Sequence, residues 1–436
     1  MAILLVGMQW WQGLELHSEA DRAGREAQRL WADHPPAFPL DTLMGAVYAP
    51  AVASPLSSFD AGDGPWLGSS LWLQLGRLAR IQDQVGYDYA PAGRQIGLTA
   101  AILAQIAIPM LALLLCWQRR EAIAAGSTES WTAMLIALFE RCAPALAIAC
   151  LLSAMLSWKM LGLNGATRLL LLLGCYLLYA LAAASICWLA YRYIPDTSRA
   201  TLVLASFWLF NIALARPTTT NLAGALYPLP TIDAMARKIE FERANGYNGV
   251  ETRKDRERRF IAEALVEYQV KSIDQLPVNL SAILLKKEER HQREVFVRRL
   301  GELNELYRSQ ERFEQLTSFA APMVGIQIAS SALAATDFAS EREQLNQADL
   351  YWDNMVRKVY EDIVVSSGPE GKKIIRGPEY WRQFPFVHPS LPSPAHALNS
   401  SLLPSAFLLL WAAAGFFLSK QQKENRSKTM EIEIPV

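Results

Sequence analysis

The strongest constraint on this chain is where its charges are missing. Of its 436 residues 52% are hydrophobic and 19% charged, and 42 basic and 42 acidic side chains cancel to a formal net charge of zero. Averages of this kind describe an ordinary water-soluble protein. The order of residues does not: charge is nearly absent from several blocks and crowded between residues 231 and 400. A chain so divided addresses two solvents, lipid and water. Zero net charge removes the general electrostatic attraction to a phosphate backbone, so no nucleic-acid partner is expected.

Leu169 to Tyr191 is a charge-free run of about 23 residues, which as a helix reaches about 35 Å and exceeds the about 30 Å of a hydrocarbon core. Gln95 to Trp117 is a second span, with Pro109 as a kink that neighbouring helices can tolerate. Cys142 to Trp158, Ala200 to Ala215 and Leu402 to Leu418 complete five. A sixth, Met1 to Trp11, is only about 11 residues and too short to span alone. Either this first helix, 1–13, is clipped at its cytoplasmic end, or it inserts part-way; Gln9, Trp10 and Trp11 resemble an outer aromatic belt and favour the first reading. The five cysteines (116, 142, 150, 175 and 187) all lie in apolar blocks, so no disulfide framework is implied.

Orientation follows from the basic tail Ser419 to Lys428, which the positive-inside rule keeps in the cytoplasm. Counting back puts 118–131, with Arg119 and Arg120, and Arg192 to Arg199 on the same side, and segments 14–94 and 217–400 outside. The expected fold is an all-α membrane protein with about six transmembrane helices and a large extracytoplasmic α-helical domain. Its parts are the first helix at 1–13, a loop or subdomain at 14–94, helices two to five at 95–216, the outer domain at 217–400, helix six at 401–419 and a tail at 420–436. Phe319 to Phe338 could upset the count. It holds Gln327, Ser330, Ser331 and Pro322 with few large apolar side chains, so it is expected inside the outer domain or on the membrane surface.

Within the outer domain Phe296, Leu300, Leu303 and Tyr307 recur as one stripe of a helix inside Asn279 to Leu316, and Tyr351, Met355 and Val359 mark another. Arg253 to Val270 reads as a third helix, with turns at Asn245-Gly246, Asn248-Gly249 and Gly368-Pro369. Their charges read as solvated faces with ion pairs one turn apart. Tyr227-Pro228-Leu229-Pro230 and Phe384-Pro385-Phe386 bracket the domain, and Tyr380, Trp381, Phe384 and Phe386 are expected at the height of the membrane interface.

Catalytic signatures are sparse. Gly371-Lys372-Lys373 lacks the upstream glycine and the hydroxyl of a phosphate loop, and Glu288-Glu289-Arg290-His291 is not a two-histidine zinc pattern. His17, His34, His388 and His396 are scattered, no metal or cofactor is expected, and there is no serine elbow. Polar residues in or beside the spans are the better hints. Glu140 and Arg141 stand at the start of the third span, where an unpaired charge at mid-depth costs about 2.5–3.5 kcal/mol, so they lie at the cytoplasmic interface or pair with a partner. Gln105 and Asn211 could line a path or join helices by hydrogen bonds.

Several patches carry a resemblance: Val47-Tyr48-Ala49-Pro50, Pro55 to Asp60, Gly64 to Gly68, Arg216-Pro217 through Pro230, Ala321 to Phe338 with Asp337 near its end, and Trp381 to Phe386 with Pro385. With this topology the chain resembles ABC-2 type transporter permeases, in the subgroup whose large extracytoplasmic helical insertion is a domain of unknown function. The resemblance implies a bacterial inner-membrane location, export, a pair of identical or different permease subunits in lipid, and a separate ATPase that binds the ATP. It also implies that the segment between spans two and three touches that ATPase; here Arg119, Arg120, Glu121, Glu129 and Trp131 would carry the contact. The family's glutamate-arginine-glutamate and glycine-threonine pattern is replaced by Arg119-Arg120-Glu121 and Gly126-Ser127-Thr128. The alternative expectation is an ATP-driven mechanical or signalling protein whose outer domain acts on an envelope protein. A non-enzymatic permease subunit without its own ATPase motif is the first expectation.

Overall fold

The structure is a computed structural model. It describes residues 99–432 apart from 126–127, 157, 248 and 388; before them it describes 18, 22, 24–26, 28–33, 35–44, 47–50, 52, 54–62, 70–74 and 77–81. The expected first helix at 1–13, and with it Trp10 and Trp11, lies outside the described residues, as do His17, His34, Gly126, Ser127 and His388.

The described chain is predominantly helical, and five helical stretches are long and apolar enough to cross a membrane: Ala100–Gln118, Trp131–Leu152, Leu163–Tyr193, Thr197–Leu226 and Pro394–Ser419. After a short helix α1 (Pro39–Met44) and three strands, they are carried by α2 (Ala100–Gln118), α4 (Thr128–Leu156), α5 (Trp158–Tyr193), the continuous α6 (Thr197–Phe210) and α7 (Arg216–Leu226), and α14 (Pro394–Ile432). A short α3 (Arg120–Ala124) forms the elbow between α2 and α4. The strands β1 (Val47–Pro50), β2 (Ser70–Gln74) and β3 (Arg77–Ile81) form a small antiparallel sheet in chain order, with Tyr48 opposite Trp72 and Leu73 opposite Leu78. It adds a β element to the segment expected as a loop or subdomain at 14–94.

One boundary shifts. Arg216-Pro217, expected at the exit from a span ending near 215, lies inside a helix that runs on to Leu226. Proline cannot donate to the carbonyl one turn back, and the wider π turn Asn211–Ala215 just before it absorbs that missing bond, so the helix continues.

Beyond one end of the bundle a second core gathers Leu43, Ala264, Ile283, Trp352, Met355, Val359, Ile363 and Trp381. It is built from α1, α9 (Arg253–Glu267), α10 (Leu280–Thr317), α12 (Phe338–Ser366) and the single turn α13 (Pro378–Trp381), and α8 (Ile232–Asn245) packs on α10. The helix starts are encoded locally: Thr231, Thr252, Asn279 and Asp337 each accept a backbone N–H two or three residues into the helix they open, satisfying a donor that would otherwise lack a partner. The three helices expected here are present as α9, α10 and α12, although on α12 Trp352 rather than Tyr351 is fully buried. Two of the four aromatic residues expected at the membrane interface lie in this core. Trp381 and Phe384 are buried in this core, Trp381 at 6.1 Å from the Trp31 ring, because large rings gain most where both faces are covered.

The charges also depart from a simple solvated surface. Pairs one turn apart do occur, such as Arg259–Glu263 and Arg290–Glu294. Others join separate helices: Arg256 of α9 to Glu288 of α10 at 2.9 Å, Arg293 of α10 to Asp349 of α12, and Arg299 of α10 to Glu242 of α8; Arg376, bridged to Ala37, ties the chain after α12 back to Asp362 at 2.8 Å.

Candidate functional site

The residue run expected to stay within the polar domain or on the membrane surface does neither. Pro322–Ala334 forms α11, a helix of about 20 Å, too short to cross a membrane, with both neighbours leading back to the polar domain. It packs chiefly against α14 and α5, with smaller contacts to the π turn, α10 and α2. Eleven of its residues are buried, and small side chains make that approach possible; a Cβ added at Gly325 would come within 3.3 Å of Ser318 Cβ, closer than an ordinary contact, and 3.8 Å from Pro404 Cβ. Few large apolar groups argued against insertion into lipid. The same small groups suit insertion between helices, which is the physical reason for the different outcome.

Its first turn meets the π turn: the Met323 N–H donates to Asn211 Oδ1 at 3.4 Å, while Asn211 Nδ2 donates to the Phe207 carbonyl. One helical length further, Ser330 Oγ donates to Asp60 Oδ2 at 2.5 Å and shares a hydrogen bond with Tyr176 Oη at 3.1 Å. Gln105 Nε2 donates to the same Tyr176 oxygen at 3.0 Å, and Tyr179 Oη donates to the Gln105 backbone carbonyl. Asp60 also accepts the Gly62 N–H. The loop carrying Asp60 is sunk into the bundle, with Leu56 and Phe59 fully buried and the Phe59 ring edge-on to Tyr176 at 5.4 Å. One connected chain of polar groups thus runs from that loop through α11 to α5 and α2.

The last turn of α11 is held by Arg168, which is 2% exposed. Its Nη1 donates to the carbonyls of Ala332 at 3.1 Å and Leu333 at 2.9 Å, and its Nη2 to those of Pro392 at 2.6 Å and Ser393 at 3.2 Å. The final carbonyls of a helix lack internal donors and carry its negative dipole end, so a guanidinium there supplies both charge and hydrogen bonds. Ala335 ends the helix with φ +54°, and the Thr336 N–H closes back on the Ser331 carbonyl.

At the opposite end of the bundle the elbow α3 rests on α2, α4, α5 and α6, with Ile123 fully buried and Arg192 Nη1 donating to the Ala124 carbonyl at 3.2 Å. Arg120 lies over the Trp117 ring at 5.0 Å and 3.6 Å from Glu121. Arg119 Nη1 is buried without a partner among the described residues. Trp131 is buried against Trp188, so it anchors the elbow rather than facing outward. Glu129 lies on α4 with its side chain outside the described set.

Of the other residues singled out from sequence, Gln105 and Asn211 join helices, and Pro109 is buried within an unbroken α2. Tyr48 and Pro50 lie on β1, their side chains outside the described set; Asp337 caps α12, and Pro385 is exposed beside the polar core. Glu140 and Arg141 are exposed at the middle of the α4 span rather than at its start. Arg168, Tyr176 and Ser330 were not read as a site. The available signal was Arg168 itself, a charge directly abutting the longest apolar run.

Five apolar helices of spanning length around one core define a multi-pass helical membrane protein. Residues 232–384, the polar domain, match a family described as a domain of unknown function (DUF3526). No curated protein and no solved structure matches the chain.

Proposed function

We propose that the chain is the membrane-spanning subunit of an ABC-2 type exporter in a bacterial inner membrane, worked by a separate ATPase bound at the elbow end. In this reading the polar domain stands outside the cytoplasm. The observation that carries the proposal is the placement of α3: a short helix seated on four spanning helices at once, with Arg119, Arg120 and Glu121 at its start, so that a push on it shifts the packing of the bundle. Packed helices move as units and pass displacement along their contacts, and α11 would carry that movement to the polar domain. The chain contributes path and coupling and makes no covalent bond.

Purification of the full chain from native membranes tests this. An ATPase subunit is expected to co-purify, with a turnover that rises with an exported solute and falls at least about tenfold on Arg120→Glu with Glu121→Arg. Absence of any bound ATPase, or unchanged association and turnover in that variant, overturns it. The rigid tie of α11 between domain and bundle also favours a second reading, an ATP-driven mechanical device acting on an envelope protein. Stimulation of turnover by such a protein and by no solute would favour it.

A further inference from the structure

Helix α4 is the least covered of the five spans. Its exposed stripe is Ile136, Glu140, Pro144, Ile148, Leu151 and Met155, spaced at three and four residues and therefore one continuous face, with Arg141 exposed on its flank. Two contacts fix its depth. The Trp131 ring packs on Trp188, and Met134 Sδ meets Cys116 Sγ at 2.9 Å, one turn from the end of α2. Glu140 lies about 9 Å further along the helix, at mid-depth of the bundle. Neither Glu140 nor Arg141 forms an ion pair or side-chain hydrogen bond among the described residues. Pro144 has no N–H to give, so the Glu140 carbonyl also loses its helical donor at the same height. Two opposite charges and a freed carbonyl on an apolar face are costly in lipid, and charges at this depth are found paired.

We infer that this face is the contact between two copies of the chain, packed side by side about a two-fold axis, with Glu140 of each copy paired to Arg141 of the other. A face carrying one acid and one base at adjacent positions is complementary to itself under that symmetry, and the four charges sum to zero. Arg141 also has donors to spare for the freed Glu140 carbonyl. The inference rests on the permease reading for its lipid setting and deepens it by naming the second subunit as an identical chain and by naming the helix.

Two differently tagged full-length copies, co-expressed and extracted in mild detergent, test the pairing without any ATP turnover, so failure here leaves the elbow experiment untouched. Wild-type copies are expected to co-purify. Glu140→Arg alone or Arg141→Glu alone, in both copies, puts like charges together and should cut co-purification at least tenfold. Restoration is expected when a Glu140→Arg copy meets an Arg141→Glu copy, or when both copies carry both changes. Unchanged association in the single variants overturns the pairing, as does failure of every compensating combination while each variant elutes as one species with wild-type thermal unfolding. Oxidation of an Ile136→Cys variant should join copy to copy; in an Ile136→Cys, Leu5→Cys chain, a cross-link confined to one copy would instead put the chain's own first segment on this face and overturn the inference.

Discussion

The bundle and the polar domain bury polar groups by opposite means. In the domain arginines meet carboxylates, at half-covered sites such as Arg293 and Asp349, 18% and 14% exposed, and at the buried pair Arg299 and Glu242, 6% each. In the bundle, hydroxyl and amide groups form a chain around Ser330 that ends on the Asp60 carboxylate, and the buried cation there, Arg168, is met by four carbonyl oxygens. In the first region water repays part of the desolvation of the more exposed charges, and the opposite charge of the partner repays it at the buried ones. In the second, hydrogen bonds must repay all of it, so a lost partner costs more. Ion pairs hold the domain's helices together, whereas the bundle depends on geometry.

The sharpest way to break that contrast is Arg168→Met. It removes four hydrogen bonds and takes the donor from the carbonyls of Leu333 and Pro392, while Ala332 and Ser393 keep the N–H groups of Ala335 and His396, and it is expected to destabilise the protein by about 2–4 kcal/mol, since each unsatisfied buried acceptor costs about 1–3 kcal/mol. Arg168→Lys should recover only part, because an ammonium lacks the planar fork that reaches four acceptors. Unfolding in detergent, followed by proteolysis near Phe319 to Phe338, measures both; loss of less than 1 kcal/mol in the methionine variant would show that the carbonyls find other donors. Gly415 gives the next largest effect. A Cβ there would press on Ser185 Oγ and Cβ and lie 3.1 Å from its Cα, so α5 and α14 must separate. Gly415→Ala is expected to cost about 1–3 kcal/mol by overpacking, against almost nothing for Gly301→Ala, where a Cβ meets open space.

Long apolar runs were legible because they act within a few residues: five spans and the helices α9, α10 and α12 were read, although the third span, expected at Cys142 to Trp158, lies at Trp131–Leu152 and the fourth runs on to Leu226. What was not legible came from contacts distant in sequence. Ser330 counted against insertion when weighed alone, and only the approach of Asp60, 270 positions earlier, and Tyr176 makes it a link. Trp381 reads equally as a membrane-interface ring or a core ring until Trp31 is found beside it. Composition likewise could not say that arginine at 256 would be buried and at 258 exposed.

The smallest expected effect concerns the one carboxylate in the domain's helix contacts that is pushed furthest from its usual range. Glu289 borders a cavity of about 330 Å³ lined by Leu40, Met44, Arg243, Arg293 and Tyr360. Burial, with repulsion from Asp353 of α12, raises its pKa to about 7 against the attraction of Arg293. A carboxyl that holds its proton more tightly when folded makes the folded state lose stability as pH rises from the unfolded value near 4.5 toward 7, with nothing further lost above that. Screening by the open side of the cavity leaves about 1–2 kcal/mol of the effect. His291 on the same helix acts in the opposite sense: burial lowers its pKa, so the fold gains stability as pH rises toward 6.5. Glu311, raised by burial beside Arg342, adds a slope of the same sign as Glu289. Compared in a His291→Gln background, Glu289→Gln should therefore be more stable than its parent at pH 8 by about 1–2 kcal/mol and equal to it near pH 4, read by hydrogen exchange along α10. Equal stability at pH 8 would mean that Arg293 already pairs with both acids, and that the domain tolerates a charge at this contact as easily as at its surface.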